Sequence, residues 1–136
     1  MNLVDTSGWI EYFFAGPNAS HFAGPIEKTK DLVVPVICLY EVFKRIHQVA
    51  DEARALQAVA QMKQGRVVPL TEEIALKAAL ISLRHKLPMA DSIVYATGQT
   101  ECAIVWTQDD DFQGLPGVDY RESQSKGSSQ KPRSTG

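Results

Sequence analysis

Apolar residues along this chain come in short continuous runs rather than in strict alternation. Asn2-Leu3-Val4, Leu32-Val33-Val34, Val67-Val68 and Ala103-Ile104-Val105-Trp106 are the clearest runs, and the pattern is that of strands buried on both faces. Helical signals fill the intervals between them. Thr6 and Ser7 offer N-caps to a helix through Trp9–Phe14, which Gly16-Pro17 breaks. His21 to Lys30 can be helical if Pro25 begins or kinks the helix. Ile37, Tyr40, Val42, Phe43, Ile46 and Val49 recur at helical spacing, and the Ala-rich stretch Asp51–Gln64 ends at Gly65, a natural C′ residue.

Thr71 caps a further helix with Glu72 and Glu73 in its first turn and Arg84, His85 and Lys86 in its last, the polarity the helix dipole favours. Pro88-Met89 separates it from a helix over Ala90–Gln99, and Leu115-Pro116-Gly117 marks a late turn. Strands alternating with helices predict an α/β fold of three layers, with a central, mostly parallel sheet of four to five strands flanked by helices.

The chain has 136 residues, enough for one domain, which is expected to span residues 1–122 and to be followed by a flexible polar and basic tail, 123–136. The formal charge of −2 hides an asymmetry, because Met1–Glu122 holds 11 basic residues against 16 acidic ones, a net −5. So acidic a body does not resemble a general nucleic-acid binder, although it can act on nucleic acid if metal ions hold part of the excess. Cys38 and Cys102 are too few and too far apart for a disulfide framework or a structural zinc site. No run approaches the ~18 apolar residues of a membrane span, and the start carries no basic leader region. These features point to a cytoplasmic protein.

In open parallel sheets, ligands bind beyond the carboxyl ends of the strands. Asp5 follows the first strand and Asp109-Asp110-Asp111 follow the last strong one; Glu41 lies early in the helix after the second strand, and Asp91 in the first turn of its helix. Each alone has an ordinary explanation: Asp5 and Asp91 as helix-start acids, the aspartate run as an acidic loop. Glu41 sits among Leu39, Tyr40, Val42 and Phe43, where an unpaired carboxylate is costly. Together they gather acids from four segments at one sheet edge. Such a set raises its own pKa values unless a counter-charge is present, and an oxygen-only donor set without Cys or His suits Mg²⁺ or Mn²⁺. No G-x-S-x-G, G-x-G-x-x-G or G-x-x-x-x-G-K-[ST] motif occurs, and His21, His47 and His85 are scattered, which fits structural or solvated roles.

The opening Leu3-Val4-Asp5-Thr6-Ser7-Gly8-Trp9-Ile10 resembles that of a PIN domain, specifically of VapC-type toxins. Glu41, the segment Pro88-Met89-Ala90-Asp91-Ser92-Ile93, the ending Thr107-Gln108-Asp109-Asp110-Asp111-Phe112 and Leu115-Pro116-Gly117-Val118 match further motifs in order, from Met1 to about Tyr120. The resemblance implies a PIN-like fold and a metal-dependent endoribonuclease, the toxin of a toxin–antitoxin pair acting on structured RNA. It implies that Asp5, Asp91 and Asp109 hold Mg²⁺, that Glu41 completes the acidic set or positions the attacking water, and that Thr6, Ser7 and Thr107 support them. Either Asp109 or Asp111 fills the last acidic position. Lys44, Arg45, Arg84 and Lys86 are candidates to hold RNA at the rim. The implied partners are a VapB-like antitoxin and a second copy of the chain. The helix from Trp9 to Phe14, apolar on nearly every side, is the expected place for another chain to meet it. The alternatives are a non-catalytic PIN-like dimeric binding module and a structure-specific DNA nuclease.

Overall fold

A computed structural model describes residues 1–124 of the chain, so most of the basic tail lies outside the described residues. Five strands, β1 (Asn2–Val4), β2 (Leu32–Pro35), β3 (Arg66–Val68), β4 (Ile104–Thr107) and β5 (Val118–Tyr120), form one sheet in the order β3-β2-β1-β4-β5. Every neighbouring pair is parallel. The helices are α1 (Thr6–Phe13), α2 (Ala19–Glu27), α3 (Val36–Val49), α4 (Glu52–Met62), α5 (Glu72–His85) and α6 (Met89–Thr100).

The predicted three-layer α/β architecture is therefore present, with two local differences. Helix α2 starts two residues before His21 and keeps Pro25 inside its last turn, where only one backbone donor is forgone. The fifth strand follows the Leu115-Pro116-Gly117 turn. Val118 is its only aliphatic residue, so no apolar run announces it, and its pairing with β4 fixes it instead.

The glycines show which helix covers which face. A Cβ on Gly98 of α6 would lie 2.7 Å from Val105 Cγ2 and 3.8 Å from Leu3 Cδ1, whereas one on Gly8 of α1 would lie 2.6 Å from Val4 Cγ1 and 2.8 Å from Phe22. Leu3 and Val4 are consecutive strand residues and point to opposite faces. So α6, with α5 packed on it, covers one face, and α1 and α2 cover the other. Leu3, Val4, Val33, Val34 and Val105 are buried between the two layers, and Trp9, Phe22 and Phe112 are the largest side chains fully enclosed.

Helix α1 absorbs its aromatic residues more completely than its sequence suggests. Trp9 is buried and stacks on Phe13 at 5.6 Å, while the Tyr12 hydroxyl is engaged by Gln61 and Glu27. Phe14 alone of the four aromatics is exposed. Exposed apolar side chains also stand on α3, at Val36, Tyr40 and Val49, and on α5, at Leu76, Leu80 and Leu83. Among the described residues no helix is long and apolar enough to cross a membrane.

The strand order sets the position of the site. The chain steps outward from β1 to β2 and β3, then returns to lay β4 on the other side of β1. The order in which strands are added thus reverses between β1 and β4, and a crevice opens beyond their carboxyl ends. The Asp5 amide donates to the Trp106 carbonyl at 3.1 Å, so the two strand ends enter that crevice side by side.

Candidate active site

Asp5 ends β1 and begins α1. Its Oδ1 accepts from the Gly8 amide at 3.0 Å and from Ser7 Oγ at 2.7 Å, and its Oδ2 accepts from Thr107 Oγ1 at 2.7 Å. The helix-capping role and the site role are thus filled by one side chain. Asp5 is only 3% exposed. Burial pushes its pKa up to about 6, against the opposing pull of the bonds from Ser7, Thr107 and Gly8 and with a further push from the Asp109 charge.

The hydroxyls of Ser7 and Thr107 join β1 and β4. Thr107 Oγ1 accepts from the Asp109 amide at 2.9 Å while donating to Asp5, and Ser7 Oγ accepts from the Gln108 amide at 3.1 Å while donating to Asp5. Gln108 extends the network through its own amide, to Glu11 Oε1 at 3.2 Å and from Asn18 Nδ2 at 3.0 Å. Glu11 also accepts from the Asn18 amide at 2.7 Å. Glu11, Asn18 and Gln108 escaped sequence reasoning because their partners lie up to 104 positions away. Neither period nor motif marks them.

Asp91, in the first turn of α6, faces the loop after β4. Asp91, Asp109 and Asp111 each offer a carboxylate oxygen within 4.8 Å of the others. Asp109 also accepts from the Asp111 amide at 2.9 Å, closing the 3-10 turn Asp110–Phe112 and holding these two acids together. Burial raises the Asp91 pKa to about 8, helped by the Asp109 charge and by its contact with Asp111. Burial raises Asp109 as well, offset in part by the Asp111 amide.

The tight trio differs by one member from the Asp5, Asp91 and Asp109 read from the sequence, since Asp111 takes the place of Asp5. Asp5 nonetheless lines the same crevice of about 400 Å³, whose walls include Thr6, Glu41, Arg45, Asp91 and Asp109. Asp91 and Asp109 therefore belong both to the trio and to the crevice wall. Glu41, on α3, accepts from Thr6 Oγ1 at 2.5 Å, which resolves how an acid persists in so apolar a segment. Cys38 is buried, and its thiol is pushed well above its ordinary range by burial and by the Asp5 charge, which keeps it neutral.

Of the four basic residues expected at the rim, Arg45 lines the crevice. Lys44 lies over the Tyr40 ring at 5.7 Å and lines a separate groove on α3. Arg84 and Lys86 stand exposed at the end of α5, outside the crevice wall. None of the histidines lines the crevice: His21 packs on Trp106 with ring centroids 5.0 Å apart, and His47 and His85 are exposed. The set is one of hard oxygen donors, crowded enough to raise its own pKa values. That is the electrostatic state a divalent cation relieves.

No curated protein matches the chain significantly in sequence. Its structure is similar to a toxin–antitoxin complex from Klebsiella pneumoniae, at 24% identity and a TM-score of 0.72 over 88% of this chain and 96% of that one. It is also similar to VapC20 from Mycobacterium tuberculosis, described as a sarcin-ricin loop cleaving toxin, at 17% identity and a TM-score of 0.71 over 85% and 95% of the two chains. DNA-bound VapBC from Salmonella typhimurium gives 14% identity and a TM-score of 0.69 over 90% and 98%. These likenesses share the fold. The family model for the PIN domain matches residues 3–118, from β1 to the start of β5, and takes in every acid of the crevice. The chain belongs to the PIN domain family.

Proposed function

We propose that the chain is a metal-dependent endoribonuclease and the toxin of a toxin–antitoxin pair. The observation that carries this reading is the meeting of Asp91, Asp109 and Asp111 within 4.8 Å beside Asp5 and Glu41, at the point where the order of strand addition reverses in a PIN-family chain. The all-oxygen donor set fits Mg²⁺, with Mn²⁺ the next candidate. Asp91, Asp109 and Asp111 would hold a divalent cation, which would supply a coordinated water of lowered pKa and a counter-charge for a phosphodiester.

The chain's own residues prepare that chemistry. Ser7, Gly8 and Thr107 fix both oxygens of Asp5, so its carboxylate stands as an oriented negative wall behind the trio. Glu41, held by Thr6, faces the crevice from α3 and is placed to take a proton from an attacking water. Arg45, on the same helix one turn further on, meets an RNA phosphate from the rim. With water as nucleophile, and not the ribose 2′-hydroxyl, cleavage leaves 5′-phosphate and 3′-hydroxyl ends.

The fold shared with toxin–antitoxin complexes supports a VapB-like antitoxin as partner, and the VapC20 likeness supports structured RNA, tRNA or rRNA, as substrate. A homodimer in the cytoplasm completes the proposal. The test is cleavage of total bacterial RNA by purified, antitoxin-free protein with Mg²⁺ or EDTA, beside Asp5→Asn. Discrete 5′-phosphorylated fragments that vanish with EDTA and with the substitution are the expected result. Cleavage that survives EDTA overturns the proposal.

A further inference from the structure

Helix α3 carries an aromatic ring that the core does not use. Tyr40 is 62% exposed, the most exposed aromatic side chain among the described residues. It lines a groove of about 580 Å³ together with Val36, Leu39, Phe43, Lys44 and His47. Lys44 Nζ stands 5.7 Å from the centre of the Tyr40 ring, and no acid contributes to the groove wall.

Apolar exposure alone does not name an occupant, but position and charge do. Tyr40 and Lys44 immediately precede Glu41 and Arg45, which line the acidic crevice. Successive helix positions lie about 100° apart around the axis, so the groove and the crevice share α3 as their common wall. A purely apolar ligand would strip water from Lys44 and leave its charge unpaired, which is costly. A nucleotide brings its own counter-charge. An aromatic ring flanked by cations suits an unpaired nucleotide, since the ring stacks on the base and the cations meet the neighbouring phosphates.

We propose that this groove is a nucleotide subsite, in which an unpaired RNA base next to the cleaved bond stacks on Tyr40 and Lys44 meets its phosphate. The inference rests on the nuclease reading and deepens it, because it makes the substrate a single-stranded loop or bulge. Bases in a continuous duplex stay stacked on one another and cannot reach the ring. Tyr40 is thus a specificity determinant: it seats the strand, while Arg45 holds the phosphodiester over the crevice. Every base has a π-face, so the ring selects for an unpaired base and not for a particular one.

The test uses the full chain carrying Asp91→Asn, so that RNA stays intact, and two fluorescein-labelled RNAs with equal numbers of nucleotides, a hairpin with an unpaired loop and a blunt duplex. Anisotropy should show tighter binding of the hairpin. Tyr40→Ala and Tyr40→Leu should each weaken hairpin binding about tenfold and leave duplex binding unchanged, whereas Tyr40→Phe should match its parent. Circular dichroism confirms the fold of each variant. With 5-iodouridine at each loop position in turn, irradiation should crosslink the RNA to Tyr40, as mapped by mass spectrometry. A hairpin bound no better than the duplex overturns the inference, as do crosslinks confined to other residues. A Tyr40→Leu variant that binds like Tyr40→Phe also overturns it, and assigns the groove to an apolar protein partner instead. Cleavage of total RNA by the chain with Asp91 intact reports on the nuclease reading separately, so the two can fail independently.

Discussion

The Thr107 hydroxyl donates a hydrogen bond to Asp5 at 2.7 Å while the same oxygen accepts one from the Asp109 amide at 2.9 Å. One buried hydroxyl thus orients an acid from β1 and sets the backbone of an acid beyond β4. Thr107→Val keeps the shape and deletes both bonds. It should lower stability by about 1–3 kcal/mol, since a buried carboxylate oxygen and an amide lose their partner, and should reduce cleavage with it. Thr107→Ser should recover most of both. Urea denaturation beside a cleavage assay decides; a Val variant as stable and as active as wild type would show that the hydroxyl is dispensable.

The metal-free protein should become less stable as pH rises from 4 to 8. Asp5 and Asp91 are pushed up to about 6 and about 8, while their unfolded values lie near 3.8. Over that window the folded chain holds protons that the unfolded chain has released, so deprotonation favours unfolding. Thermal melts in EDTA should give a lower Tm at pH 8 than at pH 5. Mg²⁺ should raise Tm more at pH 8, because binding must first displace those protons at low pH. A Tm that climbs with pH in EDTA would contradict the raised values.

Asp91→Asn separates function from stability. It removes a carboxylate whose ionisation is opposed by burial and by the Asp109 charge, so at pH 8 the EDTA-treated variant should melt no lower than wild type. Cleavage should fall by on the order of 100-fold or more, with loss of heat on Mg²⁺ titration. A destabilised variant that still binds Mg²⁺ would mean Asp91 is a structural residue.

The three consecutive aspartates should not behave alike. Asp109 and Asp111 offer oxygens to the Asp91 cluster and Asp110 does not. Asp111→Asn should weaken Mg²⁺ binding about tenfold, or about 1.4 kcal/mol, whereas Asp110→Asn should leave it within twofold. Calorimetric titration of the two variants side by side measures this; equal effects would point to bulk charge in place of ligation.

Gly98→Ala should destabilise the fold although alanine is the better helix former. The added methyl lies 2.7 Å from Val105 Cγ2, a branched side chain pinned in the middle of the sheet. Forcing α6 away should cost about 1–3 kcal/mol, against a propensity gain of about 1 kcal/mol. Chemical denaturation checks the sign.

Local rules carried much of this structure. Continuous apolar runs marked four strands, and caps such as Thr71 and breaks such as Gly16-Pro17 marked the helices to within a few residues, because both obey short-range geometry. Asp5, Glu41, Asp91 and Asp109 were legible as a group for a related reason: each stands at a strand or helix end, and such ends are visible in sequence. β5 was invisible because three residues with one aliphatic side chain have no periodicity, and only the edge of β4 makes them a strand. Which acids draw together depended on the reversal in strand order and on the Asp109–Asp111 turn. These bring Asp111 close to Asp91 and leave Asp5 behind, fastened by Ser7 and Thr107. The apolar surplus of α1 and that of α5 look similar along the chain, yet α1 finds cover for all but Phe14 while the leucines of α5 stay bare. Sequence fixes what each segment can become, because its hydrogen bonds and periods are local. Burial and proximity between distant segments are properties of the packed whole, and they decided which acids meet and which leucines stay exposed.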